Sequence, residues 1–295
     1  MTDFYQPADV VTREALTWLD SNERPKDAPF MLFLHYMDTH DPFMDHARPG
    51  VGYARVRLEN PDPAKFLEPM RSAYDSDIEY LDEHLGVLFD GLRQRGLYGD
   101  AVILFTADHG EEFYDHKGWW HGQTLFDELI RVPAILKLPK EEKAGAVNAG
   151  FARHIDVAPT LLHFAGATPD PAMPGKSVFT PNGEFANQDV GFVYAENDFE
   201  NNVLQSIQSR ECKVIHANSD NPRGHAPVEV YDLARDSKEL TNIAGRNNPC
   251  EAELDPLLEQ MNAFTKGNAA EPVAASRIST EQEDQLRGLG YLGNE

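Results

Sequence analysis

Apolar residues follow a helical period in some parts of the chain and form unbroken runs in others. The clearest helix is predicted over residues 74–95, where Ile78 and four leucines share one face and acidic residues fill the other. Shorter helices are predicted over residues 7–19 and 156–164. The unbroken runs are of strand length, and strands covered on both faces have this pattern. They occupy residues 30–34, 101–106 and 132–138.

The order of these elements predicts the fold class. Strands and helices alternate up to about residue 166, which favours an α/β fold with a mainly parallel sheet sandwiched by helices and the three runs adjacent in its core. Residues 42–69 are rich in proline and glycine and are predicted to form a long loop. We divide the chain into an α/β domain (residues 1–185) and a C-terminal α+β subdomain (residues 186–295).

The C-terminal subdomain is predicted from short strand-type segments that are separated by turn residues. These segments are residues 190–195, 203–209, 212–217 and 228–233. Together they predict a small antiparallel sheet. A helix start is predicted at Thr280, because Glu283 follows three residues later as in a capping box.

Composition excludes several classes of protein. The formal net charge is −23, which argues against a nucleic-acid-binding surface. Cys212 and Cys250 are the only cysteines, too few for a disulfide framework or a thiolate zinc cluster, and they leave the redox compartment open. No apolar run is long enough for a membrane span, and no signal peptide precedes the first helix. The localisation therefore stays unassigned.

The strongest chemical motif is TADHGE at residues 106–111, directly after a buried-type strand. Ligands of open α/β sheets bind outside the carboxyl ends of the strands. Asp108 and His109 would offer one carboxylate oxygen and one imidazole nitrogen to a divalent metal. The alternative of a turn in which the aspartate caps a helix and the histidine is exposed has about equal weight.

Four more histidines occur in the segments that follow the two first buried-type strands. His35 and His40 follow residues 30–34, and His116 and His121 lie shortly after the TADHGE motif. A single histidine of this kind usually has a structural role. A cluster beside carboxylates indicates a metal or anion site.

Several longer segments carry a resemblance to a known family. Residues 74–133, which include ILFTADHGEEF and HGQTLFDELIRVP, resemble the sulfatase family of the alkaline phosphatase superfamily. The segments FLHYMDTHDPF, HIDVAPTLLHFAG, VYDLARDSKELTNIA and QLRGLGYL are similar to family segments in the same order. The resemblance covers nearly the whole chain and corresponds to the carboxyl-terminal portion of such an enzyme. It implies an alkaline phosphatase-like fold whose catalytic domain is only partly present in residues 1–185.

The resemblance also implies roles for individual residues. Asp108 and His109 match metal ligands, and His40 matches the histidine that contacts the sulfate or the leaving oxygen. His121 lies near the active-site region of the family, so His40 and His121 are the implied catalytic residues. A lysine that often follows two residues later is replaced by Gln123. Lys117 is a candidate substitute in substrate binding beside His40 and Gln123, whereas His154 and Asp156 are implied to be structural.

The implied cofactor is a divalent metal, with Ca²⁺ the first expectation and Mn²⁺ or Zn²⁺ as alternatives. The implied substrate is a small-molecule or carbohydrate sulfate ester, and family members are often periplasmic or secreted. Sulfatases use a formylglycine nucleophile made within a Cys-x-Pro-x-Arg type motif, and neither cysteine of this chain lies in one. We therefore expect a sulfatase-like hydrolase that lacks its N-terminal nucleophile segment and is inactive alone. A phosphodiesterase or phosphonate monoester hydrolase of the same superfamily and a non-catalytic remnant are the alternatives.

Overall fold

The chain forms two compact units in the computed structural model. The structure describes residues 6–26, 28–180, 184–186, 191–245, 248–267 and 279–280. The first unit contains the described residues up to Asp100, and the second contains those from Ala101 to residue 267. The division at Asp100 differs from the predicted boundary at residue 185, which stays a prediction. The helix predicted from Thr280 lies, apart from its first residue, outside the described residues.

The described part of the first unit contains two α-helices and one short hairpin. The helices are α1 (Ala8–Asp20) and α2 (Pro63–Gln94), and the antiparallel hairpin between them pairs β1 (Phe43–Met44) with β2 (Gly52–Tyr53). Both predicted helices are confirmed. However, α2 begins within the predicted loop, because the side chain of Asp62 accepts a hydrogen bond from the N–H of Ala64 (3.0 Å) and Pro63 suits the first helical turn.

The predicted strand at residues 30–34 is wrong. Met31 and Phe33 are 75% and 78% exposed, whereas Leu32 and Leu34 face α1 across a groove of about 650 Å³ that Val10 also lines. The segment is therefore covered on one face only, and no described strand pairs with it. An unbroken apolar run has no periodicity that by itself identifies the element it forms.

A buried aspartate joins the β1–β2 hairpin to α2. Asp77 accepts a hydrogen bond from the N–H of Met44 (2.9 Å), and its other oxygen lies 2.9 Å from Nε2 of His46. The ring of His46 stacks on Tyr80 with 4.1 Å between ring centroids. The pKa of Asp77 is raised to about 8, chiefly by burial; the hydrogen bond from the Met44 N–H opposes this shift and the nearby charge of Asp38 adds to it.

We expect the free energy of unfolding to decrease as the pH rises from about 4 to about 8, because of the titration of Asp77. Because its folded pKa lies above the unfolded value, the folded chain holds a proton that the unfolded chain has lost, and the advantage disappears as pH rises through the folded pKa. The slope approaches about 1.4 kcal/mol per pH unit. Urea unfolding of the wild type and of Asp77→Asn at several pH values measures this slope. The control is Asp75→Asn, which changes an exposed aspartate. Parallel pH profiles of the wild type and Asp77→Asn would contradict this.

The second unit begins with a small antiparallel pair of strands. Strand β3 (Ile103–Thr106) pairs with β6 (Ala134–Lys137), and between them lie β4 (Glu112–Phe113), β5 (Trp119–Trp120) and the one-turn helix α3 (Asp127–Ile130). The two strands were predicted to be parallel. They are antiparallel, and the connection between them holds a short hairpin and a helix of only four residues instead of the longer helix that usually forms a parallel crossover.

A helix and a four-stranded sheet follow. Helix α4 (His154–Phe164) confirms the predicted helix, and Asp156 caps it by accepting hydrogen bonds from the N–H and guanidinium of Arg153. The strands are antiparallel in the order β10-β9-β8-β7, as predicted for this subdomain. They are β7 (Val193–Phe199), β8 (Asn202–Gln208), β9 (Cys212–Ala217) and β10 (Val228–Asp232).

Helix α5 (Pro249–Gly267) covers one face of this sheet. Leu254 and Leu258 of α5 are fully buried against Ile207 and Val214. Cys250 at the start of the helix forms a disulfide with Cys212, with 5.4 Å between their Cα atoms. Two cysteines are too few for a framework of disulfides, yet they form this one cross-link. None of the helices in the described part of the chain combines the length and the apolar character that crossing a membrane requires.

Candidate active site

Asp108 and His109 lie at the end of β3, as the sequence predicted. The side chain of Asp108 accepts a hydrogen bond from the N–H of His109 (3.0 Å). Nδ1 of His109 lies 2.8 Å from the carbonyl oxygen of Gly110, which can only accept, so Nδ1 carries the proton and Nε2 of a neutral ring carries the lone pair. Nε2 is 3.8 Å from Oδ2 of Asp108. The two donor atoms therefore lie close to each other.

Close backbone packing holds the segment that carries this pair. The N–H of Gly110 donates to the carbonyl of Leu129 (2.8 Å), and a Cβ at Gly110 would lie 2.0 Å from the carbonyl oxygen of Glu128. Only glycine permits that approach. Directly before Asp108, the carbonyl of Ala107 accepts a hydrogen bond from Nε2 of His154 (2.9 Å). This contact agrees with the structural role implied for His154.

The β4–β5 hairpin brings His121 back to His109. Glu112 pairs with Trp120 in the hairpin, so Glu111 and His121 follow in register at its open end. Nδ1 of His121 lies 3.1 Å from Oε2 of Glu111, whose side chain is 4% exposed. The rings of His109 and His121 are 4.5 Å apart between centroids. The structure thus brings Asp108, His109 and His121 together, and Glu111 orients the last of them.

Glu111 was not predicted as a site residue. It is the first of two consecutive glutamates, and its neighbour Glu112 has a different role. The carboxylate of Glu112 accepts hydrogen bonds from the N–H of Gly118 (2.8 Å) and from Nη2 of Arg223 (2.7 Å), which hold the hairpin in place. The motif TADHGE contained Glu111, but no local signal separates it from Glu112.

His116 does not belong to the cluster of metal-ligand candidates. Nδ1 lies 2.6 Å from Oε1 of Glu128 and Nε2 lies 3.0 Å from the carbonyl oxygen of Glu239, so both nitrogens donate and the ring is an imidazolium. Burial is the largest single effect and lowers the pKa of His116, but the hydrogen bonds to Glu128 and to the Glu239 carbonyl, together with the charges of both glutamates, give a net upward shift. The ring stacks on Phe126 at 3.6 Å between centroids. Its role is structural.

The remaining predicted residues lie in other surroundings. Lys117 occupies the turn of the hairpin with a φ of 67°, at the end opposite to His121. The side-chain amide of Gln123 donates to Oε2 of Glu200 (2.9 Å). His40 belongs to the first unit, where its Nδ1 donates to the carbonyl of Asp41 (2.8 Å). The substrate-binding roles of these three residues and the convergence of His40 with His121 stay predictions.

The donor set was tested for its fit to a divalent metal. A carboxylate oxygen and a neighbouring imidazole nitrogen that carries its lone pair are suitable ligands for Ca²⁺, Mn²⁺ or Zn²⁺. Within the described ranges no group of three or more histidine, cysteine, aspartate or glutamate side chains has the arrangement of a metal site. Asp108 and His109 therefore fit two positions of a coordination sphere.

Comparisons with known proteins agree with the motifs. The sequence model of the Sulfatase family matches residues 3–167, and that of N-sulphoglucosamine sulphohydrolase, C-terminal, matches residues 115–266. The chain is 29% identical to an N-acetylglucosamine-6-O-sulfatase of Bacteroides thetaiotaomicron over 214 residues, which cover 69% of this chain and 37% of the relative. It spans between 37% and 54% of the length of the first three curated relatives.

Solved structures show the same likeness. A structure described as a complex with its substrate D-glucosamine-2-N,6-O-disulfate is 26% identical, with a TM-score of 0.59, and the match covers 68% of this chain and 42% of that one. A phosphonate monoester hydrolase of Agrobacterium radiobacter is 22% identical, with a TM-score of 0.68, over 94% of this chain and 64% of that one. The latter shows the fold alone. These likenesses confirm the predicted alkaline phosphatase-like α/β fold class.

A family model that covers more than half of the chain, together with the TADHGE motif at the end of β3, identifies the protein as a member of the sulfatase family.

Proposed function

We propose that this chain forms the metal-holding and proton-transferring part of a sulfate ester hydrolase. The observation that carries the proposal is the cluster of Asp108, His109 and His121 at the end of β3 in a chain of the sulfatase family. The proposed substrate class is carbohydrate sulfates, which is supported by the N-acetylglucosamine-6-O-sulfatase and by the glucosamine disulfate complex among its relatives.

Asp108 and His109 would hold the metal. A divalent cation bound there would supply positive charge that neutralises the sulfate oxygens. Ca²⁺ is the first candidate because family members use it, and the imidazole of His109 also suits Mn²⁺ or Zn²⁺. Two protein donors are few for Ca²⁺, which takes six to eight oxygen ligands. The affinity of this chain alone is therefore expected to be weak.

His121 would handle the proton. Because Nδ1 donates to Glu111, Nε2 is the nitrogen that accepts a proton from a reacting group or returns one to the leaving oxygen. The Glu111 carboxylate holds this tautomer and the orientation of the ring, and it would stabilise the imidazolium that forms. We propose that His40 acts beside it on the sulfate or the leaving oxygen.

The nucleophile is proposed to come from polypeptide outside this sequence. The sequence contains no Cys-x-Pro-x-Arg motif, so no formylglycine can form in it. The chain also spans only about half of the length of its relatives. Positioning residues do not replace a covalent nucleophile, so we expect no turnover from this chain alone.

A phosphonate or phosphate ester is the second candidate substrate. The amide of Gln123 stands where many family members carry a lysine, and it is engaged with Glu200. Without that lysine, one positive charge fewer surrounds the substrate anion, and such a site could select an ester other than a sulfate. The alkaline phosphatase-like fold also occurs in the phosphonate monoester hydrolase described above.

Turnover assays test the proposal. The chain, its Asp108→Ala variant and the product of a reading frame extended upstream of Met1 are incubated with p-nitrophenyl sulfate, p-nitrophenyl phosphate and N-acetylglucosamine 6-sulfate, each with Ca²⁺ and with Mn²⁺. We expect sulfate release by the extended protein and none by the chain alone. Faster phosphate release would favour the second candidate. An inert extended protein, or Asp108-dependent turnover by the chain alone, would overturn the proposal.

A further inference from the structure

The segment that follows His121 is held by a turn of the C-terminal sheet. The side-chain N–H of Asn197 on β7 donates to the carbonyl of Gly122 (2.9 Å) and to the carbonyl of Asn202 (3.2 Å). The ring of Phe199 covers Gly122 so closely that a Cβ there would lie 2.9 Å from Cδ1 of the ring. Gly122 itself has a φ of +85°, a conformation that favours glycine.

Two further contacts fix the next residue. The side chain of Gln123 donates to Glu200 in the same turn, and the carbonyl of Gln123 accepts a hydrogen bond from Nε2 of His225 (3.4 Å). The turn between β7 and β8 carries Glu200 and Asn201 at positive φ, so its own backbone shape is specific. Three polar groups of the two residues after His121 are therefore bonded to residues 197–225, namely the two carbonyls and the side-chain N–H of Gln123.

We infer that Asn197 is a positioning residue for His121, and that the β7–β8 turn sets the place of the His121 ring beside His109. The inference rests on the proposed role of His121. Glu111 fixes the rotation of the ring through Nδ1, whereas Asn197 fixes the backbone that carries the ring. The C-terminal sheet supplies neither Asp108 nor His109. Its contribution to this site is to hold His121 close to them.

The geometry explains why one amide has this effect. Gly122 itself offers little resistance to rotation of its backbone, because glycine has no side chain and a wide range of backbone conformations. An amide bridge that ties the Gly122 carbonyl to the Asn202 carbonyl removes this freedom. Without this bridge, we expect the centroids of the His109 and His121 rings to lie farther apart than 4.5 Å.

Nuclear magnetic resonance of the full chain with labelled histidine tests the inference without turnover. The wild type is compared with Asn197→Ala and with Asn197→Asp, which keeps the size but replaces the donor by a carboxylate. Gln205→Ala is the matched control, because its amide donates to the hydroxyl of Tyr194 within the same sheet (3.1 Å) and does not contact the His121 segment. The readouts are cross-relaxation between the His109 and His121 rings and the broadening of each ring signal by Mn²⁺.

We expect ring-to-ring cross-relaxation in the wild type and in Gln205→Ala, and a severalfold loss in both Asn197 variants. Mn²⁺ should broaden His109 equally in all four proteins but broaden His121 less in the Asn197 variants. If the Asn197 variants do not fold, Phe199→Leu, which opens the space over Gly122, is predicted to give the same loss. Unchanged cross-relaxation in the folded variants would overturn the inference. Failure of Mn²⁺ to bind anywhere would instead contradict the proposed function, since the cross-relaxation does not depend on metal.

Discussion

Replacing Asp108 with alanine is expected to weaken the binding of Mn²⁺ by about tenfold or more, because even a residue that only supports a metal ligand contributes that much. An oxygen of Asp108 lies 3.8 Å from Nε2 of His109. The Asp108→Ala change would remove the carboxylate donor of this pair. Titration with Mn²⁺, followed by the electron paramagnetic resonance signal of the free ion, measures the affinity.

The control for this experiment must separate binding at Asp108 from the general attraction of cations to an acidic protein. At a formal net charge of −23, the protein attracts cations without any specific site. Asp100→Ala removes one exposed carboxylate and changes the net charge by the same amount. We expect Asp100→Ala to bind Mn²⁺ like the wild type, and the difference to persist at raised ionic strength, where diffuse attraction is screened. Equal affinities of the two variants would show that Asp108 is not a ligand.

Removing the Cys212–Cys250 disulfide is expected to lower the free energy of unfolding by about 4 kcal/mol. The cross-link closes a loop of 38 residues, and the loss of loop entropy in the unfolded chain gives this value. Both cysteines are buried beside Leu254 and Leu258, so the bond also fixes the start of α5 on the sheet. Urea unfolding of the oxidised wild type and of the double variant Cys212→Ala, Cys250→Ala measures the difference.

Reduction of the wild type provides a second measurement of the same quantity. The reduced wild type and the double alanine variant should unfold at similar urea concentrations, since both lack the cross-link. A reductant should leave the double variant unchanged, which controls for other effects of the reagent. Unfolding curves of the oxidised and reduced wild type that coincide would contradict the prediction.

The helices and the candidate metal ligands could be predicted from the sequence because their signals are local. The stripe of apolar residues in α2 and the position of Asp108 and His109 after an apolar run depend on neighbours within a few residues. The extension of α2 to Pro63 was not predicted, because the proline and glycine content of residues 42–69 indicates a loop. In the structure Asp62 caps the start of α2, and the helix continues through Pro69.

The direction of strands and the partners of charged residues could not be predicted, because they depend on distant contacts. The parallel arrangement assumed a helical crossover between β3 and β6, but α3 has only four residues. Glu111 and Glu112 are neighbours of the same type, yet one holds His121 and the other holds Arg223 from a segment about a hundred residues away. Asn197 gave no signal of a role beside His121 for the same reason.

We expect Asp108, His109 and His121 to act as one metal-binding and proton-transferring site. The pattern of Mn²⁺ broadening over the histidine ring signals tests it most directly, since the chain has 11 histidines spread over both units. We predict that Mn²⁺ broadens the ring signals of His109 and His121 first and that of His116, whose two nitrogens both donate, later. Asp108→Ala is predicted to abolish this difference between the rings. Broadening that begins at His46 or His84 of the first unit, or that is unchanged in Asp108→Ala, would contradict the account.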